Sequence, residues 1–122
     1  MKTILIVDDS RTTRSYHSAI VASAGYRVTT AVDGADGLEK LLSDRCDLIF
    51  TDINMKGMDG YELVRRVREN AEFDEVPIVV ISTAASEADK LKAITMGANL
   101  YLVKPCEPKS LVDHLHMMLG GP

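Results

Sequence analysis

Residues Ile4–Ser10 read ILIVDDS, which joins four apolar residues of the strand-forming type to two carboxylates and a serine. A short continuous apolar run is typical of a strand that is covered on both faces. Ser10 is a favourable N-cap, so the stretch predicts a buried strand that passes directly into a helix. Asp8 and Asp9 at the tip of that strand repel each other and are costly to bury, so they require a compensating positive charge.

Four further β-rich runs follow this strand along the chain. Most are nearly continuous in apolar or β-branched residues rather than strictly alternating, which again indicates strands with both faces covered. The second run contains Thr29 and Thr30 and is the least apolar, so we expect it at an edge of the sheet. After Ile4–Val7, the runs are Arg27–Val32, Asp47–Asp52, Pro77–Thr83 and Leu100–Lys104.

Helical patterns follow the runs, so strand and helix alternate five times. Apolar residues recur at helical spacing in each pattern. The fourth helix is predicted to begin at Ser86, in a capping box with Asp89, and to end at Gly97. The apolar stripes expected to face the core are Tyr16, Ile20, Val21 and Ala24; Leu38, Leu41 and Leu42; Tyr61, Val64 and Val67; Leu91 and Ile94; and Leu111, Leu115 and Leu119.

This alternation predicts an α/β fold with a parallel sheet, helices on both of its faces and right-handed crossovers. For five strands the common doubly wound order is 2-1-3-4-5, as in the flavodoxin-like (βα)5 fold. The ligand crevice of that fold opens between strands 1 and 3 at their carboxyl ends. Because the chain has 122 residues and contains no repeat or linker, we expect residues 1–122 to form a single domain without an effector domain.

Composition excludes several classes of function. Hydrophobic residues make up 46% of the chain and charged residues 26%, which is average for a globular protein. The net charge is -4 and the basic residues are scattered, so nucleic acid is not an expected partner. No apolar run is long enough for a signal peptide or for membrane insertion. Cys46 and Cys106 form no metal-binding or disulfide pattern, which favours a reducing, cytoplasmic location.

Polar side chains stand where four of the predicted strands end. In the 2-1-3-4-5 order the carboxyl ends of these strands meet at one edge of the sheet, around the switch point. We therefore expect these side chains to converge, and this convergence is the main functional signal in the sequence. The residues are Asp8 and Asp9 after strand 1, Asp52 and Asn54 after strand 3, Ser82 and Thr83 at the end of strand 4, and Lys104 at the end of strand 5.

The carboxylates of this set predict a magnesium site. Hard oxygen ligands suit Mg²⁺, which retains several waters and leaves positions for phosphate oxygens, and Mn²⁺ is an alternative. Asp9 and Asp52 are the expected direct ligands, together with the backbone carbonyl of Asn54, and Asp8 is expected to hold a coordinated water. Taken singly, Asp8 or Asp9 could instead serve only as a cap of the following helix.

Asp52, Ser82 and Lys104 together predict the formation of an aspartyl phosphate. A carboxylate beside a metal, a lysine and a hydroxyl is equipped for in-line phosphoryl transfer, which depends on positioning and charge neutralisation. Asp52 is the candidate nucleophile, and Lys104 and Ser82 could each hold a phosphoryl oxygen. Alone, Lys104 could be an ordinary surface lysine and Ser82 an ordinary turn residue.

Four motifs, in this order and spacing, closely resemble the receiver domain of bacterial two-component response regulators, and most nearly its stand-alone chemotaxis type. They are ILIVDDS (4–10), LIFTDINMKGMDG (48–60), PIVVIST (77–83) and LVKP (102–105). The resemblance covers essentially the whole chain. It implies two-component phosphorelay signalling, in which the aspartate matching Asp52 takes a phosphoryl group from a phosphohistidine on a sensor histidine kinase, with Mg²⁺ bound.

The resemblance also implies how phosphorylation would change the surface that binds a partner. The hydroxyl matching Ser82 and the aromatic matching Tyr101 would switch the face formed by the fourth helix, the fifth strand and the fifth helix, where an output protein would dock. The lysine matching Lys104 precedes a proline, here Pro105, in a peptide bond that is typically cis. Such a domain is a signalling switch rather than an enzyme, since it catalyses only its own phosphorylation and slow dephosphorylation, as a monomer or as a dimer formed on phosphorylation.

Tyr101 and the histidines can be placed from the pattern alone. Tyr101 stands between Leu100 and Leu102, so strand alternation sends it to the opposite face of the sheet from these leucines. There it could move as a switch or remain a fixed, half-buried tyrosine. We expect the three histidines to be surface or partly buried helix residues away from the strand ends, unable to donate a phosphoryl group to Asp52; they are His17, His114 and His116.

Two other functions fit parts of the pattern. A magnesium-dependent phosphatase with a DxD-type site would need an acid/base group where the chain has Asn54. A flavin or nucleotide carrier of the same topology would use the loop Ser10–Thr13, but Asp8 and Asp9 at its mouth would repel phosphate. The chain also departs from the receiver pattern, with Lys56 in place of a usual proline and Cys106 in place of a common aromatic.

Overall fold

Strands and helices alternate along the whole chain in the computed structural model, which describes all residues from 1 to 122. A single 3₁₀ turn, Ala71–Phe73, interrupts the alternation between α3 and β4. None of the helices is long and apolar enough to cross a membrane. The elements are β1 (Thr3–Val7), α1 (Arg11–Ser23), β2 (Arg27–Ala31), α2 (Gly34–Ser43), β3 (Leu48–Thr51), α3 (Gly60–Arg68), β4 (Ile78–Ser82), α4 (Glu87–Met96), β5 (Leu100–Val103) and α5 (Pro108–Leu119).

The five strands form one parallel sheet in the order β2-β1-β3-β4-β5, which confirms the predicted flavodoxin-like topology. The least apolar strand, β2, lies at an edge as expected. The register of the paired strands aligns their carboxyl ends. Val7 lies beside both Ala31 and Thr51, and Ser82 lies beside Val103. The residues that follow these strands therefore emerge at one edge, hereafter the carboxyl edge.

Alternating side chains of the sheet enter two separate apolar layers. On one face the strands pack against α1 and α5 through Val21, Leu111 and Leu115, which are at most 1% exposed. On the other face they pack against α2, α3 and α4, where Val64 and Val67 are buried to the same degree. Because helices cover both faces, the central strands are buried except at Thr3, the first residue of β1, as their continuous apolar sequences predict.

Capping side chains define where the helices begin. The Ser10 Oγ accepts a hydrogen bond from the Thr13 amide and thereby caps α1 as predicted. At α4 the Ser86 Oγ accepts from the Asp89 amide and also donates to the Asp89 carboxylate. The carboxylate thus contacts the hydroxyl rather than the backbone amide of Ser86, unlike in a full capping box. The helix ends at Gly97, whose φ of 122° an L side chain rarely adopts.

Helix α4 is turned differently from the prediction. Leu91 and Ile94 were expected to face the core, but they are 68% and 46% exposed, whereas Ala93 is completely buried. The prediction was wrong because it followed side-chain size. The short side chain of Ala93 meets the neighbouring elements and leaves the two larger residues at the surface.

Candidate functional site

Lys104 joins the ends of three strands at the carboxyl edge. Its Nζ lies 2.7 Å from Oδ2 of Asp52 and 3.1 Å from Oδ2 of Asp8. All three side chains are largely withdrawn from solvent, with exposed fractions of 15%, 12% and 4%, respectively. The predicted convergence of these three residues is thus present in the structure.

Backbone hydrogen bonds that run one residue beyond each strand hold these side chains in place. The Asp8 amide donates to the Ala31 carbonyl, and the Asp52 amide donates to the Val7 carbonyl. The Lys104 amide donates to the Ser82 carbonyl in the same way. The sheet therefore orients the three residues although each lies outside its strand.

The ammonium of Lys104 is held in its charged form. Burial by itself would lower its pKa, but hydrogen bonds and charge attraction, first from Asp52 and then from Asp8, outweigh this effect. The net result is a raised pKa. Lys104 consequently supplies the positive charge that the buried carboxylate at the tip of β1 requires.

Further hydrogen bonds orient the two carboxylates. Oδ1 of Asp8 accepts from the Ser10 amide at 2.9 Å, and Oδ1 of Asp52 accepts from the Ile53 amide at 2.6 Å. Arg14 donates from Nη1 to the backbone carbonyl of Asp8 at 2.7 Å, which fastens the first turns of α1 to the end of β1. In each carboxylate the other oxygen, Oδ2, faces Lys104.

The remaining predicted metal ligands lie further out. Asp9 and Asn54 are exposed, and the ion pairs of Lys104 are with Asp8 and Asp52 instead. No group of three or more His, Cys, Asp or Glu side chains is close enough to hold a metal ion. Mg²⁺ nevertheless commonly binds through one or two carboxylates and several waters, so the oxygen donors of Asp8 and Asp52 fit this ion.

Ser82 and Tyr101 meet at the loop that follows β4. The Ser82 side chain is fully buried, and its Oγ accepts a hydrogen bond from the Ala84 amide at 3.2 Å. The Tyr101 hydroxyl donates to the Ala84 carbonyl at 2.6 Å. Burial raises the pKa of Tyr101 further above neutral pH. The same short loop therefore contacts both residues.

Tyr101 lies on the face of the sheet that was predicted for it. Tyr101 packs with the α2, α3 and α4 layer, whereas Leu100 and Leu102 pack with the α1 and α5 layer, as the alternation predicts. The peptide bond between Lys104 and Pro105 is cis.

The prediction for His17 was wrong. This residue was expected at or near the surface, away from the strand ends, but it is only 3% exposed and lies within electrostatic range of Lys104, Asp8 and Asp52. The predicted stripe began at Tyr16, which is 46% exposed instead. Spacing from Val21 could have identified His17, since residues four apart lie on one helix face.

A comparison with protein families agrees with this geometry. The sequence model of the family described as the response regulator receiver domain matches residues 4–116 of this chain. The chain belongs to the response regulator receiver domain family. Receiver domains are the phosphorelay signalling modules of two-component systems, and they generally bind Mg²⁺ at their acidic phosphorylation site. Because it belongs to this family, the domain is a signalling switch.

Individual relatives span the full length of this receiver domain. Protein PilH of Pseudomonas aeruginosa is 32% identical over 99% of this chain and 100% of its own length. Chemotaxis protein CheY1 of Helicobacter pylori is 37% identical over 96% of each chain. Among solved structures, the chemotaxis response regulator CheY4 of Vibrio cholerae superposes with a TM-score of 0.92 at 38% identity, covering 98% of this chain and 99% of that one. The similarity is thus to the chemotaxis type of receiver.

Proposed function

We propose that this receiver domain is a phosphorylation switch in which Asp52 accepts a phosphoryl group from the phosphohistidine of a sensor histidine kinase. The observation that carries the proposal is the pairing of Lys104 with both Asp52 and Asp8 at the carboxyl edge. This arrangement places a carboxylate nucleophile beside a fixed positive charge. Phosphoryl transfer requires mainly such positioning and charge neutralisation.

The transfer would proceed by in-line attack of an Asp52 carboxylate oxygen on the phosphorus. A new P–O bond forms while the P–N bond of the phosphohistidine breaks, and the leaving nitrogen keeps the electron pair. Lys104 would then transfer its hydrogen bond from Asp52 Oδ2 to a phosphoryl oxygen. The Ser82 hydroxyl would donate to a second phosphoryl oxygen, since its present bond from Ala84 uses Oγ only as an acceptor.

A bound Mg²⁺, or Mn²⁺ in its place, would neutralise negative charge on the carboxylates and on the transferring group. We propose that Asp9 and Asp52 provide carboxylate ligands, that the Asn54 backbone provides a carbonyl and that Asp8 acts through a water. The different burial of the acidic pair supports this division. Asp8 is 3% exposed, whereas Asp9 is exposed and therefore open to a hydrated cation.

The signal would leave through the face formed by α4, β5 and α5, which would bind an output protein. Tyr101 and Ser82 both contact the loop between β4 and α4, so a change at Ser82 has a short route to α4. Large exposed apolar side chains on all three elements support a docking function for this face. They are Leu91 and Ile94 on α4, Val103 on β5 and Met117 on α5.

We further propose that residues 1–122 act as one receiver domain that signals through partner proteins. Both apolar layers share the same sheet, so no part of the chain forms a separate core. The sensor kinase and the output protein are the expected partners, with the domain as a monomer or as a dimer that forms on phosphorylation.

Phosphorylation by acetyl phosphate in the presence of Mg²⁺ tests the acceptor. We expect intact-mass spectrometry to detect the addition of one phosphoryl group to the wild type and none to Asp52→Asn, because the amide is not nucleophilic. Asp74→Asn, an exposed change remote from the carboxyl edge, is the control and should be modified like the wild type. Equal modification of Asp52→Asn would exclude Asp52 as the acceptor.

Metal titration tests the division between the two acidic residues. Asp9→Ala should weaken Mg²⁺ binding clearly more than Asp8→Ala, because the first change removes a direct ligand and the second a contact through water. Isothermal titration calorimetry on the unphosphorylated protein measures both affinities. The opposite ranking would assign direct coordination to Asp8.

A further inference from the structure

Arg14 reaches from α1 to the acidic pair at the tip of β1. Its Nη1 donates a hydrogen bond of 2.7 Å to the backbone carbonyl of Asp8, six residues earlier in the chain. That carbonyl belongs to the peptide unit that joins Asp8 to Asp9. Because a peptide unit is planar, a hydrogen bond that fixes its carbonyl also fixes the backbone nitrogen and Cα of the next residue. Arg14 therefore holds the piece of backbone from which the Asp9 side chain projects.

The side chain of Asp8 is also held by interactions other than the one with Arg14. The Asp8 amide donates to the Ala31 carbonyl, which continues the pairing of β1 with β2. Oδ1 of Asp8 accepts from the Ser10 amide, and Oδ2 lies 3.1 Å from Nζ of Lys104. Loss of the Arg14 hydrogen bond would thus leave the Asp8 carboxylate with two partners.

Asp9 depends on its neighbours for its orientation. It is exposed and lies between the end of β1 at Val7 and the first residue of α1, Arg11. On one side of it the Asp8 carbonyl accepts from Arg14, and on the other the Ser10 amide donates to the Asp8 carboxylate. The direction of the Asp9 carboxylate therefore follows from how firmly this backbone is fixed.

We propose that Arg14 is a positioning residue for bound Mg²⁺ and that it acts through Asp9; this rests on the proposed function, in which Asp9 is a direct ligand. An exposed carboxylate loses conformational freedom when it binds a metal ion, and a backbone that is already fixed reduces this cost. Removal of a group that orients a metal ligand typically weakens metal binding by about 10–100-fold. The charge of Arg14 has the opposite effect, because a nearby positive charge repels a cation.

Arg14→Met separates the two effects by their sign. The change removes the donor to the Asp8 carbonyl, so we expect the affinity of the unphosphorylated protein for Mg²⁺ to fall about tenfold in isothermal titration calorimetry. Arg11→Met removes the same charge from an exposed position of the same helix and should bind Mg²⁺ at least as tightly as the wild type. Equal or tighter binding by folded Arg14→Met would overturn the proposal, since only the loss of charge would then be observed.

A double variant tests whether the effect passes through Asp9. Asp9→Ala/Arg14→Met should bind Mg²⁺ no more weakly than Asp9→Ala alone, because the ligand that Arg14 positions is already absent. A further tenfold loss in the double variant would overturn the proposed route. Wild-type affinity in Asp9→Ala would instead contradict the ligand assignment of the proposed function, and this outcome is distinct from an unchanged affinity in Arg14→Met.

The mobility of Asp9 in the metal-free protein provides a readout that does not involve Mg²⁺. We expect 15N relaxation to give the Asp9 amide of the wild type an order parameter of about 0.85, the value of rigid backbone, and to give a value below about 0.6 in Arg14→Met. Arg11→Met should keep the wild-type value, and circular dichroism verifies that each variant is folded. A value below about 0.6 in the wild type would overturn the proposal even if Arg14→Met did not fold, because the hydrogen bond from Arg14 would not be holding Asp9.

Discussion

At the scale of single residues, the charge balance of the carboxyl edge depends on Lys104. Asp8 is buried at the tip of β1, and a buried carboxylate without a partner is strongly destabilising. The lysine that neutralises it directly follows β5, 96 residues later in the chain. Because the same ammonium also holds Asp52, it couples the neutralisation of Asp8 to the position of the candidate nucleophile.

His17 makes a specific contribution to the pH dependence of stability. Its pKa is lowered in the folded protein, chiefly by burial and then by the charge of Lys104, despite the opposite effects of Asp8 and Asp52. The unfolded chain therefore binds a proton more readily, so this contribution is complete above about pH 6.5 and is lost as the pH falls. We expect the free energy of unfolding to fall between pH 7 and 5.5 in urea denaturation experiments.

Replacement of His17 measures its contribution to the pH dependence of the free energy of unfolding. His17→Phe should reduce the slope of stability against pH in that window, by at most about 1.4 kcal/mol per pH unit, the limit for one group. A slope that is the same in His17→Phe as in the wild type would show that the buried imidazole does not titrate differently on folding.

At the scale of elements, Arg68 connects the end of α3 with two loops. Its guanidinium donates to the carbonyls of Phe73 and Val76 before β4, and to the carbonyl of Gly97 and the Asn99 side chain before β5. The close approach also explains the glycine at 97, because a Cβ there would lie 2.5 Å from Cγ of Arg68. One side chain thus fixes α3 relative to the starts of two strands.

Removal of this connection should be costly. Arg68→Met leaves several partly buried carbonyls without donors, and we expect a loss of about 2–3 kcal/mol in the free energy of unfolding. Arg66→Met, on the same helix, removes only a solvent-exposed pair with Glu62 and should change stability by less than about 1 kcal/mol. Urea denaturation measures both. Similar losses in the two variants would contradict the structural role of Arg68.

At the scale of the whole molecule, the two apolar layers should unfold together. Every strand contributes to both layers, so neither can be lost without exposing the sheet that supports the other. We expect methyl resonances of Leu63 in one layer and Leu115 in the other to disappear at the same urea concentration as the far-UV circular dichroism signal. Separate midpoints for the two leucines would indicate that the layers are independent units.

The topology was predictable because its signal is repeated at every strand. Each buried strand is a continuous apolar run, and each ends in polar residues, so strand order and the carboxyl edge followed from general rules about parallel sheets. The orientation of helices was less predictable. Leu91 was assigned to the core by size and Tyr16 by spacing, yet Ala93 and His17 occupy those positions, because packing depends on the distance between elements as well as on polarity.

The sequence by itself determined the order of the elements and the set of polar residues at the carboxyl edge, since both depend on local patterns and on sheet register. Only the tertiary structure decided which members of that set pair. Asp8 turns inward to Lys104 while its neighbour Asp9 remains exposed, although the two are chemically identical. The reason is that direction and burial arise from contacts between β1, β3 and β5, which are distant in sequence and meet only in the folded sheet.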